Sequence, residues 1–156
     1  MARRRSAGIV LYRAGDRGPE VLLVHPGGPF WAKKDLGAWS IPKGEYEPDD
    51  DPRACALREF EEETGTALPA QALVDLGAVV QKAGKEVTAW AARGDLDPAT
   101  VRSNSFTMQW PPRSGREQEF PEIDRAEWFA LDEARAKLVA AQAELLDRLV
   151  ERVPDL

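Results

Sequence analysis

A single cysteine, Cys55, stands among 156 residues, so no disulfide can form within the chain. Such sparing use of cysteine fits a reducing compartment, and a cytoplasmic location is expected. Long hydrophobic runs are also missing. No stretch approaches the roughly 18 apolar residues that cross a bilayer, so no membrane partner is expected. The opening MARRRSAGIVLYRAG is basic, but its apolar stretch is short and no small-residue cleavage site follows. It does not read as a signal peptide. Positive charge is in deficit: Lys and Arg number 21 against 27 Asp and Glu, a net of −6. That balance argues against duplex nucleic acid, whose binding rests on phosphate neutralisation. It leaves room for a phosphorylated small molecule, because a bound divalent ion inverts the local sign. The lone histidine, His25, has no partner visible in the sequence and receives no role.

What is present is ordinary globular material, 43% apolar and 31% charged. No repeat and no linker interrupts it, so one domain over residues 1–156 is expected, long enough to close a core unaided. Ala7–Tyr12 (AGIVLY) and Val21–His25 (VLLVH) read as strands, with a hairpin between them. PGGPFWAKKDLGA reads as a loop and Trp39–Ile41 as a short strand. KGEYEPDDD is turn-like and acidic. Pro52–Thr64 reads as a helix, with Asp51 as N-cap, Pro52 at the first helical position and Gly65 just past the end. Its apolar stripe would be Leu57, Phe60 and Thr64. Strands are expected at Ala72–Gln81, Glu86–Ala91, Phe106–Trp110 and Glu127–Leu131. PPRSGREQEFPEID between the last two reads as a long polar loop. Two helices close the chain, DEARAKL and AQAELLDRLVERV.

The first helix carries an unusual burden. Glu59, Glu62 and Glu63 share one face, with Glu61 turned away. Like charges at this spacing repel by a few tenths of a kcal/mol per pair, and they sit toward the helix C-terminus, where the macrodipole disfavours anions. A hard divalent cation with a taste for oxygen ligands would resolve the repulsion. A solvated acidic face is the alternative from the helix alone. The loop EPDDD lacks the spaced ligands and glycine of an EF-hand.

From Gly44 the chain reads GEYEPDDDPRACALREFEEETGT. This stretch resembles the Nudix box, with Gly44, Arg58, Glu59, Phe60, Glu62, Glu63 and Gly65 in register. Asp50 stands where the box has its first Glu, and Thr66 where it has an apolar residue. WSIPKGE before the box and EWFAL late in the chain also look like Nudix segments. The chain is identified on these residues as similar to the Nudix hydrolases, and resembles MutT-like and diadenosine polyphosphate hydrolase-like members. The resemblance implies an α/β fold: an α/β/α sandwich around a mixed sheet, with the Nudix loop and helix beside it.

The same resemblance implies a pyrophosphohydrolase using Mg²⁺, with Mn²⁺ as substitute. Its metal ligands would be Glu59, Glu62, Glu63 and the carbonyl of Gly44. Arg58 would anchor neighbouring carboxylates. The general base is a box glutamate such as Glu59 or Glu62, or a loop acid; Glu122 leads there, with Glu119 and Asp124 behind it. Lys43 adjoins Gly44 and would bind phosphate. Lys33, Lys34, Arg113 and Arg116 are further candidates from loops. Trp31, Trp90 and Trp110 are the candidate base-stacking side chains, while Trp39 and Trp128 read as core. Cys55 reads as a packed thiol.

Substrate identity is left open by the motifs. Relatives that split ADP-ribose often carry a proline after the box, and diadenosine polyphosphate hydrolases a tyrosine; QKAGK has neither. The lead-in WSIPKGE is similar to that of dinucleoside polyphosphate and nucleoside triphosphate hydrolases, which favours a nucleotide partner. Inositol pyrophosphates, a non-catalytic nucleotide sensor and a homodimer all stay open.

Overall fold

The computed structural model describes residues 4–154 and 156. The first three residues of the basic start therefore lie outside the described residues. The elements run β1 (Arg5–Gly15), β2 (Gly18–Pro26), β3 (Lys43–Glu45), α1 (Pro52–Thr64), β4 (Val74–Val80), β5 (Glu86–Arg93), β6 (Ser105–Gln109), β7 (Glu117–Pro121), β8 (Ile123–Ala130), α2 (Leu131–Lys137) and α3 (Ala143–Arg152). The main sheet has the order β4-β5-β1-β2-β8, with β3 added on β1. It is mixed: β1 runs parallel to β5 and antiparallel to β2 and β3.

The apolar runs at the start make sense once both faces of this sheet are covered. Successive strand side chains point to opposite faces. Ala7, Ile9, Leu11, Leu22 and Val24 turn toward Cys55, Ala56 and Phe60 of α1. Val10, Tyr12, Val21 and Leu23 turn toward Leu138 and toward Leu145, Leu146 and Leu149 of α3. A strand buried on both sides needs continuous rather than alternating hydrophobicity. The result is the expected α/β/α sandwich. Among the described residues, no helix is long and apolar enough to cross a membrane.

Several local expectations are corrected. Trp39–Ile41 is not a strand; Ser40 and Trp39 make isolated bridges to Val24 and Leu138. KGE, expected in a turn, is β3. The polar loop 111–124 contains β7, which pairs with β6 in a separate two-stranded hairpin. β8 begins four residues before Glu127. In α1, Leu57 is only half-buried, and Cys55 and Ala56 take the core positions beside Phe60 and Thr64. Burial of Phe60 contributes on the order of 1.5–3 kcal/mol. Asp51 occupies the N-cap position without a side-chain bond, and Gly65 closes the helix in the left-handed region at φ 74°. Asp50, the departure from the box, accepts the Glu47 N–H at 3.1 Å and so ties the loop to itself instead of to a basic group.

Candidate active site

Pairing of β3 with β1 places Gly44 opposite Ala7 and Lys43 opposite Gly8. This sets the Lys43–Gly44 segment against the last turns of α1. A Cβ on Gly44 would stand 2.5 Å from Cγ of Glu59. Only glycine lets the carboxylate arm approach the strand that closely.

Glu59 and Glu63, one turn apart on α1, line a cavity of about 350 Å³ with Gly44, Lys43, Lys85 and Glu122. Glu122 arrives from the junction of β7 and β8, 59 positions beyond Glu63. Its backbone is fixed on both sides: its N–H donates to Asn104 O at 2.8 Å, and its carbonyl accepts the Gly27 N–H at 2.9 Å. Glu62 is exposed and does not line the cavity. Four carboxylates line the cavity, Glu45, Glu59, Glu63 and Glu122, and Glu62 of the helical trio is not among them.

The electrostatics follow from that gathering. Burial pushes the Glu63 carboxyl up to about 8, helped by Glu59 and Glu122. Its Oε2 is buried with no hydrogen-bond partner. Burial also raises Glu59, with Glu62 the next contributor. Lys43 is pushed down to about 8, first by burial and then by Lys85 beside it. Lys85 in turn pairs with Glu45 at 3.3 Å.

An implied divalent ion can be tested against these groups. The donors are oxygens without sulfur or imidazole, the set a hard cation prefers. The orphaned Glu63 Oε2 is a buried acceptor in need of a positive partner. Among the described residues, no three acidic, cysteine or histidine side chains stand close enough together to hold a metal ion by themselves. The residues fit an open site in which Glu59, Glu63 and the Gly44 carbonyl supply part of the shell.

Two larger hollows open beside the cavity. An inner one of about 480 Å³ is lined by Lys43, Glu63, Trp31, Ile41, Gln142 and Glu122, among others. An outer one of about 410 Å³ lies between the 26–31 loop and the β6–β7 hairpin. Glu122 lines all three hollows, and Trp31 lines the inner and the outer.

The other expected site residues fall elsewhere. Lys33 and Arg116 are exposed and line none of these hollows. Trp110 borders the outer hollow at one remove, edge-on to Phe30 at 5.8 Å. Trp90 is buried in the core against α1, so it cannot stack on a ligand. Arg58 makes no bidentate bond among the described residues. It acts through space, drawing down the neighbouring Glu59 carboxyl and the Cys55 thiol against their net rise. Cys55 is a packed thiol over the Gly44 and Glu45 carbonyls. Lys85 went unrecognised in the sequence, as did Ser6, whose buried and unpartnered hydroxyl also lines the cavity.

His25, without a role in the sequence, is fully buried. Nδ1 lies 2.9 Å from Asp124 Oδ1 and Nε2 lies 2.6 Å from the Lys34 carbonyl. Its ring meets Trp39 edge-on at 5.0 Å. The imidazole thus joins the start of β8, two residues past Glu122, to the loop that carries Trp31.

The NUDIX domain family model matches residues 2–149. The chain belongs to the Nudix family. Solved structures share the fold at low identity. An Ap4A hydrolase from C. elegans, solved as a binary complex, is 23% identical, with 94% of this chain and 96% of that chain covered and a TM-score of 0.63. The C-terminal domain of mouse MUTYH, solved with human PCNA, is 24% identical over 99% of this chain and 92% of that chain, TM-score 0.63. The NUDIX domain of Shewanella oneidensis NrtR, complexed with ADP ribose, is 18% identical over 97% and 88%, TM-score 0.62. At these identities the likeness speaks for the Nudix fold alone.

Proposed function

We propose that this Nudix protein is a Mg²⁺-dependent pyrophosphohydrolase, a single domain over residues 1–156, acting on a nucleoside triphosphate or dinucleoside polyphosphate. The observation that carries the reading is the cavity where Glu59, Glu63 and Glu122 meet Lys43 and Lys85, with Glu63 Oε2 buried and unpaired. Partly buried Glu59 and Glu63 and exposed Glu122, set beside partly buried Lys43 and Lys85, suit a ligand that brings both phosphate and metal. Two neighbours of the same fold are an Ap4A hydrolase and a NUDIX domain complexed with ADP ribose, and a nucleotide is the ligand class proposed here.

Glu59, Glu63 and the Gly44 carbonyl would hold the ion, with Glu62 joining from the rim. The ion, when bound, would neutralise phosphate oxygens and activate water. Glu122 takes the proton of the attacking water as the new O–P bond forms. The P–O anhydride bond breaks, and its electron pair leaves with the departing phosphate. Lys43 and Lys85 stabilise the charge that collects there. Arg58 tunes Glu59 electrostatically. Trp110 backs the Phe30 wall, while Lys33 and Arg116 supply positive charge at the periphery.

The test is a screen with Mg²⁺ over dinucleoside polyphosphates, nucleoside triphosphates, nucleotide sugars and inositol pyrophosphates, with the nucleotide, pyrophosphate and phosphate products separated by chromatography. Turnover of a nucleotide that Mn²⁺ also supports and that excess EDTA abolishes is the expected result. Turnover persisting in excess EDTA refutes the metal-dependent reading. Tight nucleotide binding with no product from any substrate refutes the hydrolase in favour of a sensor.

A further inference from the structure

The outer hollow has a chemistry unlike the rest of the site. Its walls are Phe30 and Trp31 from the loop after β2, Phe106 and Met108 from β6, and the backbone at Gly28; Glu122 at its mouth is the one charged side chain lining it. Phe30 and Trp31 stand 61% and 39% exposed, among the few large apolar side chains of the described chain left in solvent. Exposed apolar surface of this kind marks a binding site more often than accident. The hairpin that supplies the other wall pairs only with itself and adds no strand to the main sheet. Gly28, at φ 95°, lets the loop meet it: a Cβ there would stand 2.8 Å from Cζ of Phe106.

Such a slot suits a flat ring. Aromatic faces and a thioether attract a heteroaromatic ring. No cation lines the hollow to receive a phosphate or a sugar ring studded with phosphates; a charge of that sign, Lys34 Nζ, stands 5.0 Å from the centre of the Trp31 ring. The inner hollow is the natural seat for the nucleoside next to the cleaved phosphates, because it shares Lys43 and Glu63 with the acid cavity. Of the residues lining the outer hollow, Glu122 alone also lines that cavity.

Resting on the hydrolase reading above, we propose that the hollow between the 26–31 loop and the β6–β7 hairpin binds a second planar ring. The preferred substrate then carries a base at each end of its phosphate chain. A dinucleoside polyphosphate fills both arms of the cleft; a nucleoside triphosphate leaves the outer arm empty.

The experiment compares kcat/KM for a dinucleoside tetraphosphate and for a nucleoside triphosphate under Mg²⁺, in wild type, Phe106→Ala and Met108→Ala. Base stacking on an aromatic side chain corresponds to roughly 5- to 100-fold per base. Wild type should prefer the dinucleotide by at least about tenfold. Phe106→Ala should erase most of that preference, and Met108→Ala part of it, with circular dichroism and melting certifying the fold. Equal use of both substrates by wild type, or a preference untouched in both folded variants, overturns the inference. If no nucleotide is turned over, the hydrolase reading fails alone. The outer subsite is then judged by fluorescence titration, where a dinucleotide that binds no more tightly than a triphosphate, or equally well to wild type and Phe106→Ala, overturns it.

Discussion

Removing a charge from the middle of the acid cavity should strengthen the metal-free fold. Glu63 is the residue to change, and glutamine keeps its shape without ionising. The Glu63 carboxyl rises from an ordinary 4.5 to about 8, chiefly through burial and then through Glu59 and Glu122. Between those two pH values the folded protein holds a proton that the unfolded chain has released. Stability therefore falls as pH climbs from 4.5 toward 8. At about 1.36 kcal/mol per pH unit, the loss accumulated by pH 7 is ~3 kcal/mol; residual solvent access reduces this to ~1–2 kcal/mol. Glu63→Gln should recover that amount. For a domain of this size the gain is roughly 3–8 °C in Tm. The assay is thermal melting of EDTA-treated wild type and variant at pH 4.5, 6, 7 and 8. The gap should be near zero at 4.5 and widen to pH 8. Lys43 acts with the opposite sign, since its depression to about 8 restores stability only as pH rises from there toward 10.5. The points from pH 4.5 to 7 therefore lie below its titration, and only the pH 8 point carries a Lys43 contribution. Saturating Mg²⁺ should close or reverse the gap, because only wild type gains the full binding free energy. A metal-free variant that melts below wild type at pH 7 would refute the reasoning.

Two further outcomes bear on the site. Glu122→Gln should lower turnover by about 10²–10⁴-fold, the usual contribution of a general base, with its Mg²⁺ midpoint unmoved; a rate restored by added Mg²⁺ would make Glu122 a ligand instead, as expected for Glu63→Gln. Gly44→Ala should drive Glu59 from its seat, since the new Cβ would stand 2.5 Å from its Cγ; a Mg²⁺ midpoint raised at least about tenfold is expected, and an unchanged one would remove the Gly44–Glu59 contact from the metal site.

The layers of the sandwich were legible because burial on both faces wrote itself into the strands as unbroken apolar runs such as AGIVLY and VLLVH. Only half of the β6–β7 hairpin was legible: Phe106, Met108 and Trp110 alternate with Thr107 and Gln109, and β6 falls on the strand expected there. Its partner β7 was not, since four of its five residues are exposed within the polar PPRSGREQEFPEID. Spacing along α1 grouped Glu59, Glu62 and Glu63. The fold instead sets Glu62 outside the cavity, because β3 covers the side of the helix that Glu59 and Glu63 share. Glu122 could be anticipated from its place before EWFAL. Lys85 could not: a lysine in the turn between β4 and β5 reads like any other surface lysine until β5 lies beside β1. Trp90 falls in an expected strand yet stands beside Trp31 as a stacking candidate in the sequence, and pairing with Ile9 on β1 places it in the core.

The buried His25 has a mechanical consequence. Asp124 and Lys34 are 90 positions apart in the chain, yet one imidazole holds both. The loop bearing Trp31 and the strand start bearing Glu122 are thereby geared together. On the function proposed above, a ring seated against Trp31 would be felt at Glu122 through this one imidazole, tying occupancy of the cleft to alignment of the proposed base.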